Sequence, residues 1–230
     1  MAATDVPVIK VLFTMHPGMD AMDFIGPLEV LTHAKHNAND EATKAFSAKF
    51  VSSEEHTVSA QGASFRAHMD FKEAYTRLSE FDILVVPGGG VDPILKSKSE
   101  PLGLIKAFSD LQKKDPNKER TLFSVCTGSL FLAQAGILSG LSATTHPDYY
   151  AKFEKICSEI SQRDLAERCD VVEERYVVNN LLITSGAITT GLDASLYLVS
   201  IMVSEEAATE VEKTMQYEWK KGIVVDGIDI

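Results

Sequence analysis

The sequence feature that most constrains the fold is a set of three short apolar runs, each followed by a turn and a helix-like segment. These runs are "VIKVLFTM" at 8–15, "FDILVV" at 81–86 and "TLFSV" at 121–125. Runs of this length that are nearly all apolar are typical of strands buried on both faces. Because such strands alternate with helical segments, the sequence predicts an α/β fold, a single-domain three-layer sandwich with a mainly parallel sheet flanked by helices.

The segments around these strands complete the predicted order of elements. Short strands are expected within 48–71, and a hairpin that turns at Asn179–Asn180 is expected over 175–186. Helices are predicted over 26–38 with Pro27 in the first turn, over 93–115 with one break near Pro101, from Thr127 to near Gly140, over 191–204 and over 205–222. No repeat or linker divides the chain, so residues 1–230 are interpreted as one domain.

The charge and cysteine content narrow the class of protein. The net charge of −11 disfavours nucleic acid or an anionic membrane as partner, because both bind clustered Lys and Arg. The apolar run near the N-terminus is too short for a signal peptide or a membrane span. The three cysteines form no C-x-x-C pair, and an odd number suits a reducing compartment. We therefore expect a soluble cytoplasmic protein.

Cys126 lies where the third apolar run turns into a helical segment, in "SVCTGSLFLAQAG". A thiol at a helix N-terminus is stabilised as the thiolate, and the N–H of Thr127 can point toward an oxyanion. The sequence thus predicts a reactive thiol with a pKa below the ordinary value of about 8.5. The alternative is a packed core cysteine, with Thr127 and Ser129 serving only to start the helix.

Cys157 and Cys169 lack the strand-to-helix setting of Cys126, and we interpret them as packed core residues. Glycines in "PGGG" follow the second apolar run, at the same predicted edge of the sheet. Backbone N–H groups of Gly89 and Gly90 are therefore candidates for binding a developing negative charge, although glycines also simply allow tight turns. The motif matches neither a phosphate loop nor a dinucleotide-binding fingerprint, so no nucleotide cofactor is implied.

Two further residues are candidates for moving a proton. Asp23, in the largely apolar "MDFIGP", is either a helix N-cap or a partly buried acid with a raised pKa that faces Cys126. His146, after "SATT", is either structural or a base near the thiol. The spacing of the histidines, including His33 and His36, does not predict a metal site, and we expect no cofactor.

Five segments together resemble a known family. They are "DFIGPLEVL", "DILVVPGGG", "SVCTGSLFLAQAGILSG", "ATTHP" and "LITSGAITTGLDASLYLV". Their order and spacing are similar to those of the ThiJ/PfpI superfamily, of the class I glutamine amidotransferase-like fold. The resemblance covers a core of about residues 8–204, followed by a C-terminal helix and tail over 205–230. It implies a nucleophile elbow at Cys126, a contribution of Thr127 to the anion site, an acid at Asp23 that faces the thiol, and a homodimer.

Within that superfamily, Asp23 together with "SVCTG" is most similar to the isocyanide hydratase branch. That branch implies a cysteine-dependent hydro-lyase that forms N-formamides from isocyanides through a thioimidate. The glyoxalase III and deglycase branches carry a glutamate at the position of Asp23, while their histidine is matched by His146. Activity on methylglyoxal-type carbonyls is therefore the alternative, and a non-enzymatic redox-stress sensor is another. For either enzymatic activity, the expected binding partner is a small electrophilic substrate.

Overall fold

The structure, a computed structural model, describes residues 7–40, 42–162, 164 and 166–225. Its strands are β1 Ile9–Thr14, β2 Phe46–Val51, β3 His56–Val58, β4 Ser64–Arg66, β5 Ile83–Val86, β6 Thr121–Val125, β7 Ser142–Ala143, β8 Asp170–Val171, β9 Tyr176–Asn179, β10 Leu182–Ser185 and β11 Ile223–Val225. Its helices are α1 Ala21–His33, α2 Phe71–Arg77, α3 Asp92–Ser97, α4 Leu102–Lys114, α5 Ser129–Gln134, α6 Tyr150–Ile160, α7 Thr190–Met202 and α8 Glu205–Met215. Residues 226–230 of the predicted tail lie outside the described part.

A seven-stranded sheet in the order β11-β9-β10-β6-β5-β1-β2 forms the centre of the fold. Strands β2, β1, β5, β6 and β10 run parallel, while β9 is antiparallel to β10 and β11 is parallel to β9. The prediction of a mainly parallel sheet is confirmed. Parallel order places the carboxyl ends of β1, β5, β6 and β10 at one edge, where sites form in such sheets.

Alternating side chains of the central strands face two different apolar cores. Leu12, Leu84 and Leu122 pack on the side of α2 and α4–α6. Val11, Ile83 and Phe123 pack on the opposite side, against α1, α7 and α8. Burial on both faces explains why these strands are nearly continuous apolar runs in the sequence, and it confirms the three-layer sandwich.

Several predicted helix bounds are wrong for local reasons. Helix α1 begins at Ala21, five residues early, because Asp20 caps it by accepting the Met22 N–H at 2.9 Å, and Pro27 lies inside the helix. Helix α5 ends at Gln134, shortly before Gly136 turns the chain with φ +71°. Helix α6 was not predicted.

The predicted helix over 205–222 ends at Met215, where Gln216 adopts φ +50°. Residues 216–222, which we call the strap, instead lead to β11 at the edge of the sheet. The predicted hairpin exists as β9 and β10, and Asn180 takes the left-handed conformation at φ +52° in its turn. Asparagine tolerates this conformation better than other non-glycine residues, which explains its place there.

Candidate active site

Cys126 occupies a sharp turn between the end of β6 and α5, with φ +58°. This conformation is costly for a residue with a Cβ, and it persists because neighbours hold the backbone in place. The Cys126 N–H donates to the Gly186 carbonyl at 2.8 Å, and the Ser129 and Thr145 hydroxyls each donate to the Cys126 carbonyl at 3.1 Å. The residue is only 5 % exposed, so little of it is accessible to a reactant.

Asp23 lies in the first turn of α1, fully buried at 0 % exposure. The Gly88 N–H donates to Asp23 Oδ2 at 3.1 Å, and the Cys126 thiol interacts with the carboxyl group. Oδ1 has no conventional hydrogen-bond partner among the described residues. Burial, and secondarily the charge of Asp20, raises the pKa of Asp23 to about 7. Asp23 therefore faces the thiol as expected, and the helix cap is supplied by Asp20 instead.

The thiol itself is a weaker acid than the sequence predicts. Burial, and then the charge of Asp23, raises the pKa of Cys126 to about 12, although backbone N–H groups of Thr127 and Ile188 act in the opposite direction. The predicted fall of the thiol pKa is wrong, because desolvation outweighs the helix N-terminus. Carboxyl and thiol together hold one proton and one negative charge between those two pKa values.

The Thr127 side chain forms hydrogen bonds that connect the glycine loop, residues 87–90, to the turn at Cys126. The Gly89 N–H donates to Thr127 Oγ1 at 2.8 Å, and Thr127 Oγ1 is 3.2 Å from the Gly89 carbonyl. The Gly90 N–H donates to the Gly18 carbonyl at 2.8 Å. An anion-binding role for Gly89 and Gly90 stays a prediction, but an incoming oxyanion would have to displace one of these bonds.

Glycine is required in this loop by close backbone approach. A Cβ on Gly88 would lie 2.6 Å from the Thr127 backbone nitrogen, and one on Gly128 would lie 2.2 Å from the Val86 carbonyl oxygen. Gly89 combines φ +107° with a Cβ position 2.3 Å from the Asp20 nitrogen. The three segments around the thiol therefore interlock through their main chains, and this packing fixes the direction of each N–H.

His146 is placed differently from the other candidates. Its Nδ1 accepts the Asp148 N–H at 3.2 Å and so caps a short 3-10 turn over Pro147–Tyr149. Within the residues that the structure describes, no hydrogen bond joins its ring to Cys126, whereas the preceding Thr145 contacts the Cys126 carbonyl. The role of His146 as a base stays a prediction.

The loop after β10 contributes a group that the sequence analysis missed. Ile188 directs its backbone N–H toward the Cys126 sulfur and adopts φ +28°. The position of this loop could have been predicted, because "SGAITTG" follows a strand whose carboxyl end lies beside that of β6. The direction of the Ile188 N–H could not, because every non-proline residue has a backbone N–H and only the folded structure shows where it points.

An ion pair between buried Asp193 and partly exposed Arg175, together with the strap, supports this loop. Asp193 in α7 is fully buried and pairs with Arg175, whose Nε donates at 2.7 Å. The Tyr217 hydroxyl is 3.0 Å from Asp193 Oδ1 and 3.3 Å from the Thr189 carbonyl. The Lys220 N–H also donates to Asp193 Oδ1, at 2.8 Å. The strap is therefore hydrogen-bonded to Thr189 and Asp193, which follow Ile188 in the chain.

The described part of the chain offers no grouping of three His, Cys, Asp or Glu side chains that could hold a metal ion. None of its helices has both the length and the apolar character needed to cross a membrane. The expectation that no cofactor is needed stays a prediction. The reactive groups found at this edge of the sheet are a thiol, a carboxyl and backbone N–H donors, a set suited to adding a nucleophile and a proton to an electrophile.

Comparisons with known proteins show the family and the fold of the chain. A profile of the DJ-1/PfpI family matches residues 9–201. The isonitrile hydratase of Pseudomonas putida is 27% identical over 212 residues, which cover 91% of this chain and 78% of that protein. A ThiJ/PfpI family protein from Pseudomonas syringae superimposes with a TM-score of 0.73 at 20% identity, over 96% of this chain and 82% of that one. Schizosaccharomyces pombe DJ-1 gives 0.70 at 20% identity, over 91% and 100%.

Proposed function

Since the chain belongs to the DJ-1/PfpI family, we propose that it is a cysteine-dependent hydro-lyase that converts isocyanides into N-formamides, with Cys126 as the nucleophile. The observation that carries this proposal is the buried pair of Asp23 and Cys126. It offers one nucleophile and one proton donor to the same small volume. The similarity to a protein named isonitrile hydratase supports the choice of substrate class.

The first half of the reaction is an addition to the terminal carbon of R–N≡C. The Cys126 thiolate attacks this carbon, and the Asp23 carboxylic acid gives its proton to the same carbon, which forms a thioimidate, R–N=CH–S. Asp23 suits this step because its pKa of about 7 leaves a large acid fraction at neutral pH. The N–H groups of Thr127 and Ile188 stabilise the negative sulfur before attack and after release.

The second half is hydrolysis of the thioimidate. Water adds to the carbon while the nitrogen gains a proton, and the resulting hydroxyl gives its proton to the Asp23 carboxylate as the carbon–sulfur bond breaks. The products are R–NH–CHO and the original pair of thiolate and carboxylic acid. One water is consumed, and no electrons are exchanged with another molecule.

Access to the sulfur favours a slender substrate. Because Cys126 is only 5 % exposed, a linear –N≡C group that approaches end-on needs less space than a wider carbonyl compound. Ile188, whose backbone N–H faces the Cys126 sulfur, has an apolar side chain that is 37% exposed. We therefore propose isocyanides with an apolar, aromatic R group as the preferred class.

Activity on methylglyoxal-type carbonyls is the second candidate. Its support is the same pKa of about 7, since Asp23 is then partly a carboxylate at neutral pH and able to remove a C–H proton. Cys126 would form a hemithioacetal in that case. The deciding experiment is a panel of an aromatic isocyanide, an alkyl isocyanide and methylglyoxal with wild type and Cys126→Ala. Turnover of the isocyanides that disappears in Cys126→Ala supports the hydratase. Turnover of methylglyoxal alone overturns it, and turnover of none favours a redox sensor.

We further propose that the protein is a homodimer in the cytoplasm. All three cysteines are unpaired, which fits a reducing compartment. Met22 and Ile25 on α1 and Val58 on β3 are exposed apolar side chains, and the Gly18 N–H ties these elements together by donating to the Val58 carbonyl at 2.9 Å. Light scattering should give a dimer for wild type and for Ile201→Glu, a control on the exposed side of α7, and a monomer for Ile25→Glu.

A further inference from the structure

Two cysteines lie beside each other on the face of the sheet opposite Cys126. Cys157 belongs to α6, and Cys169 immediately precedes β8. Both are 4% exposed and pack in the core formed with α2 and α4–α6, whereas Cys126 belongs to the other core. The proposed reaction uses neither residue.

We propose that Cys157 and Cys169 are a dithiol site that oxidised glutathione or a comparable small disulfide converts into an intramolecular disulfide. The two thiols interact directly and line the same cavity. The cavity measures about 10 Å³, at most the space of one water, so the two side chains that line it are near neighbours.

The surroundings make one sulfur the attacking group. The interaction between the two thiols lowers the pKa of Cys157 and raises that of Cys169, while burial disfavours and the positive charge of Arg168 favours ionisation of both. The Cys169 sulfur also lies 3.8 Å from the Asp170 carbonyl oxygen. Cys157 is therefore the first thiolate to form, and Cys169 is the thiol that resolves.

The pair lies one layer beneath an exposed turn. Among the described residues between the two cysteines, Gln162, Asp164 and 166–168 are exposed. A reagent therefore needs only a local opening of this turn to reach Cys157, without unfolding the sheet. The bridge would then join α6 to β8.

The proposed step balances as two thiol–disulfide exchanges. The Cys157 thiolate attacks one sulfur of oxidised glutathione, the glutathione S–S bond breaks, and one glutathione thiolate leaves. Cys169 gives up its proton and attacks the Cys157 sulfur of the mixed disulfide, which expels the second glutathione. Two protein thiols are oxidised, one glutathione disulfide is reduced, and both protons end on the two glutathione molecules.

Peptide mapping of the full chain tests this proposal directly. The Cys126→Ser variant is incubated with oxidised glutathione, the remaining thiols are blocked with N-ethylmaleimide under denaturing conditions, and the protein is digested with trypsin. Cleavage separates "ICSEISQR" (156–163) from "CDVVEER" (169–175), so a disulfide appears as one linked species. Its mass is about 2 Da below the sum of the two peptides, and reduction splits it.

We expect the linked species in Cys126→Ser and in wild type, and its loss in Cys157→Ser and Cys169→Ser. In Cys157→Ser the attacking group is absent, so glutathione adducts at Cys169 should form more slowly than those at Cys157 in Cys169→Ser. Separate, maleimide-blocked peptides after oxidation would overturn the proposal, and so would a cross-link that contains Cys126. If the two single variants do not fold, the mapping of Cys126→Ser alone decides. The outcome does not depend on the proposed isocyanide reaction.

Discussion

Asp23 and Cys126 form a buried pair in which the carboxyl is the stronger acid, with a pKa raised to about 7 against about 12 for the thiol. Burial disfavours ionisation of both groups; the Asp23 carboxylate further disfavours the thiolate, whereas the hydrogen bond from the thiol favours the carboxylate. The pair therefore loses its first proton near neutral pH and its second only in strong base. In the singly protonated state the remaining proton is mainly on sulfur, and transfer of that proton to the carboxylate gives the smaller fraction of thiolate that can attack an electrophile.

The first prediction concerns the rate at which iodoacetamide alkylates Cys126. In wild type the rate should rise with a midpoint near pH 7, where the pair loses its first proton. In Asp23→Asn the thiol titrates alone and stays buried, so the midpoint should move above the ordinary value of about 8.5. Mass spectrometry of the alkylated peptide across pH measures both, with Cys126→Ser as the blank. A wild-type rate that stays flat up to pH 9 contradicts the shared proton.

The second prediction is that Asp23→Asn stabilises the fold in mild base. The pKa of Asp23 is 3.8 when unfolded and about 7 when folded, so between these values the folded state binds a proton that the unfolded state lacks. Stability therefore falls as pH rises from about 4 to 7, by roughly 4 kcal/mol in total. Asparagine keeps the acceptor for the Gly88 N–H and removes this loss.

Urea unfolding at pH 4 and pH 8 measures this effect. Asp23→Asn should match wild type at pH 4 and exceed it at pH 8. Asp70→Asn, a change at the exposed N-cap of α2, is the matched control and should keep the wild-type pH dependence. A lower unfolding free energy for Asp23→Asn at pH 8 would show that the folded state favours the carboxylate.

The third prediction separates His146 from Asp23. His146→Asn keeps an acceptor for the Asp148 N–H, so the short turn should survive. Isocyanide turnover should fall less than about tenfold in this variant, against about 10²–10⁴ in Asp23→Asn, the usual range for general acid catalysis. Steady-state rates with an aromatic isocyanide provide the comparison. Equal losses in the two variants would assign the proton transfer to His146 as well.

The fourth prediction concerns the ion pair behind Ile188. Asp193→Asn replaces the buried carboxylate partner of Arg175, whose side chain is 34% exposed, with a neutral amide, and should cost about 2 kcal/mol of unfolding free energy. The exposed pair of Lys106 and Asp110 is the control, and Asp110→Asn should cost less than about 1 kcal/mol. Thermal or urea unfolding measures both. A cost for Asp193→Asn as small as that of the control would show that Arg175 finds water instead.

The parts of the fold that sequence predicts well are those governed by burial. Strands β1, β5 and β6 are largely apolar because both faces are covered, so the parallel sheet and the position of Cys126 at its edge follow from the pattern. The start of α1 does not follow, because Pro27 resembles a first-turn proline while Asp20 supplies the actual cap. When two sequence features indicate different helix starts with similar strength, packing in the folded protein decides where the helix begins.

The site is predictable in its side chains and much less so in its main chain. Cys126 and Asp23 stand out as polar or reactive groups in apolar surroundings, and the structure brings them together. The pKa of the thiol and the engagement of the Gly89 and Gly90 N–H groups depend on desolvation and on hydrogen bonds across loops far apart in sequence. Neither the thiol pKa nor these hydrogen bonds can be predicted from residue type alone.

The strap over 216–222 has a consequence for how the protein is made. Synthesis runs from the N-terminus, so Asp23, Cys126 and Ile188 leave the ribosome before Tyr217 and Lys220 do. Until then Asp193 has Arg175 alone, and the Thr189 carbonyl lacks the tyrosine hydroxyl that approaches it in the finished fold. A nascent chain thus contains the Cys126 thiol and the Asp23 carboxyl before the strap can form its hydrogen bonds behind the loop around Ile188. Maturation of the site is then a late event of translation, and a prematurely terminated chain would hold both reactive groups without their support.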